Sequence, residues 1–342
     1  MCDASPVHES SSPYCKTEEL IASWSRIIEA QSVVIACHER PDGDTLGSAL
    51  GMAHVLRAMG KEVTVLSVDG VPENYHFIPE CNSILASTYR RDFDLGILMD
   101  SESEKRVGSA FEAVDRARVT ACIDHHIPEH EYGDIRVVDR TSASTAEVAV
   151  ELLDANNVEI DATAASQFLT GLIADTGAFR FANTTPHTFE IAARLTSLGA
   201  DPSYIAEQVF DSRPLRAIKL LGKALDSVKT NSAGTVAYAV ITRDDMDSLG
   251  AGDNDSESIV NYVGMVSGVL VYMLFREIEP GNVRVSLRSR DGFNVNKIAR
   301  VFDGGGHQAA SGCTIYANIG DAVTKVLDEV NKSLDSSTGK MQ

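Results

Sequence analysis

The sequence predicts an α/β protein: an N-terminal domain built on a parallel sheet, joined by a helical connection to a smaller α/β domain. Short, unbroken apolar runs recur through the first two-thirds of the chain with helical-period stretches between them. Strands buried on both faces under crossover helices read this way. Beyond residue 228 the texture changes, as expected of a second folding unit. A chain of 342 residues with 44% hydrophobic content is long enough for two packed domains of ordinary size.

Residues 1–18 carry a Ser-rich stretch without an apolar core, so they are expected to form a disordered tail and not a signal peptide. The first domain is expected over 19–201. It begins with a helical segment at 18–30 and an apolar strand at 33–37. Residues 44–59 return to helical spacing, with Leu46, Leu50, Ala53, Val55 and Leu56 turned inward. Further buried strands are expected at 63–68, 95–99, 120–123 and 135–138, and helices at 146–153, 162–174 and 188–198. Residues 202–228 read as a charged connecting segment with one long helix, punctuated by Arg213-Pro214. The second domain is expected over 229–335, with strands at 235–242, 271–275 and 283–287 and a helix at 259–269. Residues 336–342 are expected to fray.

The formal net charge is −19, from 49 acidic residues against 30 Lys and Arg. Such a body repels long polyanions, which argues against duplex DNA and favours a small phosphorylated substrate. Aromatic residues make up 6% of the chain, too few for an extended stacking platform for single strands. Trp24 and at least two of Phe179, Phe181 and Phe302 are therefore assigned to packing. None of the six cysteines pairs as CxxC, and Cys37 and Cys122 lie in apolar runs, so buried free thiols and a reducing cytoplasm are expected. The longest apolar stretch, 263–275, is too short and too punctuated by Gly and Ser to span a bilayer. No membrane partner is expected.

Acidic and imidazole groups collect where the expected elements end. The first strand runs into His38-Glu39-Arg40-Pro41-Asp42-Gly43-Asp44, where Pro41 and Gly43 force a tight loop that brings His38, Asp42 and Asp44 near one point. The strand at 95–99 ends at Asp100, the next runs into Asp124-His125-His126, and a helix leads into Asp175-Thr176-Gly177. A lone Asp after a strand is most often a helix cap, and a lone His a satisfied polar residue. Capping does not account for four such groups in succession. In an open parallel sheet they converge on the crevice outside the carboxyl ends of the strands, where ligands bind. A metal centre explains them together. In the second domain Arg284, Arg288, Arg290, Lys297 and Arg300 stand against Asp291 and Asp303, a local basic patch around Gly304-Gly305-Gly306-His307. Glycine amides, an imidazole and a bidentate guanidinium can cradle phosphate. Arg288, Ser289, Gly305, Gly306 and His307, with Arg284, are therefore assigned to the terminal phosphate or base of a substrate, and Arg290 and Arg300 to ordinary surface charge.

The order His38-x-x-Pro-Asp42-Gly-Asp44, Asp100, Asp124-His125-His126 and Asp175-Thr-Gly resembles the four signature motifs of DHH phosphoesterases. The segment with Arg284-x-x-x-Arg288-Ser289 and Gly304-Gly-Gly-His307 resembles the DHH-associated substrate-binding domain. The resemblance covers about residues 19–335, and the layout is most similar to the nanoRNase and 3′,5′-bisphosphate nucleotidase branch. Arg40 stands where many members carry Asn, at a loop neighbour that is not a ligand. The resemblance implies two divalent metal ions: one on His38 and Asp42, the other on Asp44, His125 and Asp175, with Asp100 bridging. Mixed imidazole and carboxylate donors suit Mn²⁺, with Mg²⁺ or Co²⁺ as substitutes. His126 would face the scissile phosphate, and Asp124 would orient a ligand imidazole through its other nitrogen. Thr176 and Gly177 would cap the following turn.

The implied activity is Mn²⁺-dependent hydrolysis of short oligoribonucleotides, linear dinucleotides such as pApA, or 3′-phosphoadenosine 5′-phosphate to 5′-mononucleotides, by a homodimer. A cyclic di-AMP phosphodiesterase shares these motifs. A manganese pyrophosphatase shares the N-terminal ones, but its second domain would carry a Lys- and Arg-dense signature, which Arg288-Ser289-Arg290 matches only in part. A non-catalytic nucleotide sensor would be expected to lose ligands, whereas His38, Asp42, Asp44, Asp100, His125, Asp175 and His126 are all chemically competent here.

Overall fold

The computed structural model describes residues 17–101, 103–126, 131–256, 258–290 and 292–338. Most of both expected tails, together with Cys2, Cys15 and Asp291, lies outside the described residues. Two compact units divide between Ser212 and Arg213.

The first unit begins with α1 (Thr17–Ile27), which starts inside the segment read as a tail, and continues into β1 (Ser32–Ala36). There follow α2 (Gly43–Ala58), β2 (Glu62–Leu66), β3 (Ile84–Leu85), β4 (Leu95–Met99), α3 (Phe111–Asp115), β5 (Val119–Asp124) and β6 (Ile135–Val138). Helices α4 (Thr145–Ala155), α5 (Ala162–Asp175), α6 (Pro186–Ser197) and α7 (Pro202–Ala206) complete it. The six strands form an all-parallel sheet in the order β3-β2-β1-β4-β5-β6. All five residues of β1 and of β4 are buried, because helices cover one face and α3 with neighbouring turns covers the other. That double burial is why these strands are continuously apolar.

Helix α2 lies in a middle layer between the sheet and helices α4 and α5, so it is buried on nearly every side. Its close approach to α5 rests on glycines spaced by four. A methyl group at Gly47 would stand 2.4 Å from the Gln167 carbonyl oxygen, and one at Gly43 would stand 2.6 Å from Ala174 Cβ. From the other side, a methyl group at Gly171 would stand 2.6 Å from Asp44 Oδ1. Trp24 is 4% exposed and belongs to this core. Burial pushes the thiols of Cys37 and Cys122 up, the latter to about 12, which keeps them unreactive.

The segment expected to hold one long helix is instead broken. Helix α7 buries Ile205 in the first core and runs through a π-turn at Glu207–Asp211. Pro214 then begins α8 (Leu215–Asp226), which buries Leu220 and Ala224 in the second unit. A proline has no N–H to continue a helical ladder, which explains the break.

The second unit contains β7 (Lys229–Thr230), β8 (Val236–Ile241), α9 (Arg243–Leu249), α10 (Ile259–Val263), β9 (Val271–Glu279), β10 (Asn282–Ser289), α11 (Val295–Val301), β11 (Gly305–Gly306), β12 (Ala310–Ile315) and α12 (Ile319–Thr338). Its sheet has the order β11-β12-β10-β9-β8-β7 and is antiparallel except where β8 meets β9. Helices α11 and α12 cover one face. Helices α8, α9 and α10 cover β8 and β9 on the other. Helix α10 stops at Val263, short of the 269 expected, because the chain turns through Gly264 and Gly268 (φ +80°). Helix α12 continues to Thr338, past the expected start of the frayed end.

Alanine normally stabilises a helical position relative to glycine by about 1 kcal/mol. Gly47→Ala is expected to do the opposite, losing about 1–3 kcal/mol through overpacking against α5. Urea denaturation measures it, and an unchanged or raised midpoint would contradict this helix packing.

Candidate metal centre

From β1 the sheet extends through β2 and β3 to one side, and from β4 through β5 and β6 to the other. The β1–β4 pair is thus the topological switch point, where the loops leave in opposite directions and open a crevice. The groups leaving β1, β4 and β5 at their carboxyl ends are His38, Asp100 and Asp124-His125-His126.

Each side chain is held by a specific local contact. His38 is 2% exposed, and its Nδ1 lies 2.8 Å from the carbonyl oxygen of Glu39, which leaves Nε2 facing Asp100 Oδ2 at 3.5 Å and Asp42 Oδ2 at 3.8 Å. Asp42 caps α2, its Oδ1 accepting from the amides of Asp44 (3.1 Å) and Thr45 (3.0 Å), so that Oδ2 points into the crevice. Asp44 meets the amino end of α4, accepting from the amides of Thr145 at 2.6 Å and Ala146 at 3.0 Å. Asp100 sits in the left-handed region at φ +56°, a conformation that Asp tolerates better than most residues. It accepts from the hydroxyls of Thr45 (2.5 Å) and Thr145 (2.8 Å). Arg40 is also left-handed, at φ +51°, where Asn would be more comfortable.

His125 lies between the two halves of this cluster. Its Nδ1 is 3.3 Å from the Ser142 carbonyl oxygen. Its Nε2 stands 3.4 Å from Asp175 Oδ2, 3.8 Å from Asp100 Oδ1 and 4.0 Å from Asp44 Oδ2. That nitrogen is buried and has no hydrogen-bond partner. Three sets of donors, His38–Asp42–Asp100, Asp44–His125–Asp175 and Asp100–His125–His126, each have their donor atoms within 4.8 Å of one another. Separations of this size mostly exceed a hydrogen bond, but suit donors arranged about 2.1 Å from a shared ion. The residues therefore fit divalent cations.

Asp124 pairs with the imidazole of His126 and not with that of His125. Its Oδ1 lies 2.8 Å from His126 Nδ1 and also accepts the amides of His125 (2.7 Å) and His126 (3.1 Å). Burial works against protonation of His126, but the Asp124 hydrogen bond and the field of Asp100 outweigh it and hold the imidazole at about 9. Arg106 opposes that shift and so adds a second positive charge nearby. Thr176, whose hydroxyl donates to the Leu172 carbonyl at 2.6 Å and accepts the Phe179 amide at 3.1 Å, closes the turn after α5.

Thr45, Thr145 and the amino end of α4 were missed in the sequence. The run Ser142-Ala143-Ser144-Thr145 before an apolar helix was the available signal, since Ser144 caps α4 through the Glu147 amide at 3.1 Å.

In the second unit Arg284 and Arg288 share a face of β10, opposite Val283, Val285 and Leu287, which pack under α11 and α12. Arg284 is exposed and Arg288 half-buried, which lowers the latter's pKa by desolvation. Ser289 is on the covered face, 8% exposed, its hydroxyl donating to the Phe293 carbonyl at 2.6 Å. It therefore does not share the face that carries Arg284 and Arg288. Gly305 and Gly306 form β11, and His307 begins the exposed turn that returns to Ala310, with its amide 2.8 Å from that carbonyl. A methyl group at Gly304 would stand 2.3 Å from the Gly312 carbonyl oxygen, which is why the loop approaches β12 so closely. Arg290 and Arg300 are both exposed, the first donating to the Gly264 carbonyl at 2.7 Å and the second to Asn296 Oδ1 at 2.9 Å. Phe179 stacks on Phe189 and Phe302 packs on the second core, while Phe181 is 55% exposed.

Comparison with known proteins places both units in known domain families. The N-terminal domain of the DHH family matches residues 32–174, and the DHHA1 domain matches residues 233–336. The chain is 33% identical over 324 residues to the bifunctional oligoribonuclease and PAP phosphatase NrnA of Thermus thermophilus, covering 94% of this chain and 95% of that protein. The protein of the same name from Bacillus subtilis is 30% identical, with 84% and 90% covered. The solved structure of an exopolyphosphatase-related protein from Bacteroides fragilis is 25% identical and superposes with a TM-score of 0.85, covering 92% of this chain and 96% of that one. Fold and site together define a metal-dependent phosphoesterase, a hydrolase of phosphoester bonds. The chain belongs to the DHH family, as its motif order implied. Among the described residues no helix is long and apolar enough to cross a membrane.

The cluster also sets a dependence on pH. Burial, with the fields of Asp100, Asp175 and Asp42, holds Asp44 well above the usual carboxylate range. Burial, with Asp100 and Asp42, pushes Asp175 up to about 6 although His125 and His126 oppose it. Both bind protons in the folded state that the unfolded chain has already lost, so the metal-free protein loses stability as pH rises from about 4 through 6. Burial lowers His38, but the carboxylates of Asp100 and Asp42 beside it raise it further, to about 10. The stability it contributes is full below about 6.5 and is lost as pH rises through about 10, and His126 behaves alike through about 9. Cations displace these protons. The rise in melting temperature on adding Mn²⁺ is therefore expected to grow between about pH 5 and 9. Thermal melts check it, and a shift independent of pH would contradict the ligand set.

Proposed function

We propose that this chain is a two-cation phosphoesterase that hydrolyses short oligoribonucleotides, linear dinucleotides such as pApA and 3′-phosphoadenosine 5′-phosphate to 5′-mononucleotides, with Mn²⁺ as its working ion. The observation that carries the reading is that Asp100, a member of the His38–Asp42–Asp100 set, also faces, at 3.8 Å, the His125 nitrogen that belongs to the Asp44–His125–Asp175 set. The substrate class is supported by the names of the Thermus thermophilus and Bacillus subtilis relatives, both bifunctional oligoribonucleases and PAP phosphatases.

In this reading His38 and Asp42 hold one ion, Asp44, His125 and Asp175 the other, and Asp100 bridges them. Bound cations would supply Lewis acidity toward phosphoryl oxygens and lower the pKa of water in the crevice. The remaining work belongs to the chain. Thr45 and Thr145 fix the two oxygens of Asp100. The carbonyls of Glu39 and Ser142 fix the tautomers of His38 and His125, leaving each Nε2 as the donor. His126, kept protonated by Asp124, offers positive charge to the phosphoryl group as its own charge develops. Arg284, Arg288, Gly305, Gly306 and His307 hold the substrate's terminal phosphate or base. A partly desolvated guanidinium on an uncovered sheet face, beside a glycine hairpin with exposed residues, supports that assignment.

The test is a Mn²⁺-dependent hydrolysis panel of pApA, short RNAs, 3′-phosphoadenosine 5′-phosphate, cyclic di-AMP and pyrophosphate. Release of 5′-mononucleotides from the linear substrates is expected to be fastest. Preference for cyclic di-AMP or pyrophosphate would replace the substrate assignment, and tight nucleotide binding without turnover would make the chain a sensor. Asp100→Ala should abolish turnover with the fold intact by circular dichroism; near-normal activity would refute the bridging role. His307→Ala should mainly raise KM, by roughly 1.5–3 kcal/mol of lost charged hydrogen bonding. An unchanged KM for every phosphorylated substrate would remove the glycine hairpin from recognition.

A further inference from the structure

Away from the strand-end crevice, α4 and α6 carry a second gathering of metal-capable side chains. Glu147 and Glu151 are four residues apart on α4 and so share a helix face, and His187 lies in the first turn of α6. Each of the three offers one donor atom, and these atoms lie within 4.8 Å of one another. His187 Nε2 stands 2.7 Å from Glu151 Oε1, and its Nδ1 stands 3.3 Å from Glu190 Oε2. Glu147 is 1% exposed, and its Oε2 is buried without a hydrogen-bond partner.

An imidazole–carboxylate pair accounts for Glu151 and His187. Glu147 has help from the Thr188 hydroxyl, the Ala143 backbone and the His187 field, yet its Oε2 stays buried without a hydrogen-bond partner, which a carboxylate does not readily tolerate. The charge is concentrated further by Asp139, which is 4% exposed and whose field reaches both glutamates. Burial raises the pKa of both, Glu151 to about 7, although His187 opposes the shift. Two carboxylates and one imidazole are the donors of a three-ligand divalent site, of the hardness that Zn²⁺ and its first-row neighbours accept.

We propose that Glu147, Glu151 and His187 hold a divalent cation of their own, separate from the strand-end ions, that ties α4 to α6. The same α4 donates its Thr145 and Ala146 amides to Asp44, so an ion here braces the helix on which the strand-end cluster leans.

The test loads the full chain with Zn²⁺ alone and counts the ion retained after dialysis by elemental mass spectrometry. Wild type is expected to retain about one Zn²⁺ per chain more than either His187→Ala or Glu151→Gln. The same difference is expected on an Asp100→Ala background, where the strand-end cluster is crippled. Zn²⁺ should also raise the melting temperature of Asp100→Ala more than that of Asp100→Ala with Glu151→Gln. Glu151→Gln keeps the shape of the side chain, so it reports even where His187→Ala unfolds. Equal Zn²⁺ content and equal melting shifts with and without Glu151→Gln would overturn the proposal.

Discussion

Four carboxylates, Asp42, Asp44, Asp100 and Asp175, are confined to one crevice, and the rest of the first unit is arranged around the cost of keeping them there. Two like charges about 4 Å apart in a partly screened site repel by roughly 4 kcal/mol. Two of these residues are nearly inaccessible to water, Asp44 at 1% and Asp100 at 2% exposure. The chain answers in three ways. Backbone amides at the start of α4 face Asp44, hydroxyls of Thr45 and Thr145 face Asp100, and the imidazoles of His38 and His125 stand between the acids. None of these supplies two full positive charges, and an imidazole nitrogen is left buried and unpartnered. Divalent cations would supply what is missing, so the same repulsion that makes the metal-free site costly favours their binding.

Topology decides where this can happen. Only at the β1–β4 switch do loops part widely enough to admit several acids from different strands, and β1, β4 and β5 all deliver their groups there. Asp175 arrives differently, from the carboxyl end of α5, and its position depends on how closely α5 approaches α2. Gly43, Gly47 and Gly171 permit that approach by having no side chain at the contact. Helix packing at the edge of the cluster thus sets a donor-to-donor distance.

Much of this was legible in the sequence, and the limits have physical causes. The strands of the first sheet were readable because double burial leaves them unbroken, and the order of motifs picked out the residues that the structure gathers in the crevice because each stands at or near an element end. The contacts that hold those ligands were not readable. Thr145 acts on Asp44 and Asp100 from a great distance along the chain, and no local pattern encodes such a pairing. The glycine spacing of α2 was visible, but its meaning needed the partner helix. Ser289 neighbours Arg288, but on a strand neighbours face opposite ways, so the two do not share a face. Two histidines follow Asp124, and only the geometry shows that it pairs with His126. The segment at 202–228 has helical composition throughout, but Pro214 divides it between two cores.

The central claim is that two cations share Asp100. Anomalous diffraction at the manganese edge from crystals soaked in Mn²⁺ tests it most directly. Two adjacent peaks are expected in the first unit, one beside His38 and Asp42, the other beside Asp44, His125 and Asp175, with Asp100 between them. A single peak at saturating Mn²⁺, or a pair that leaves Asp100 uncoordinated, would contradict the account.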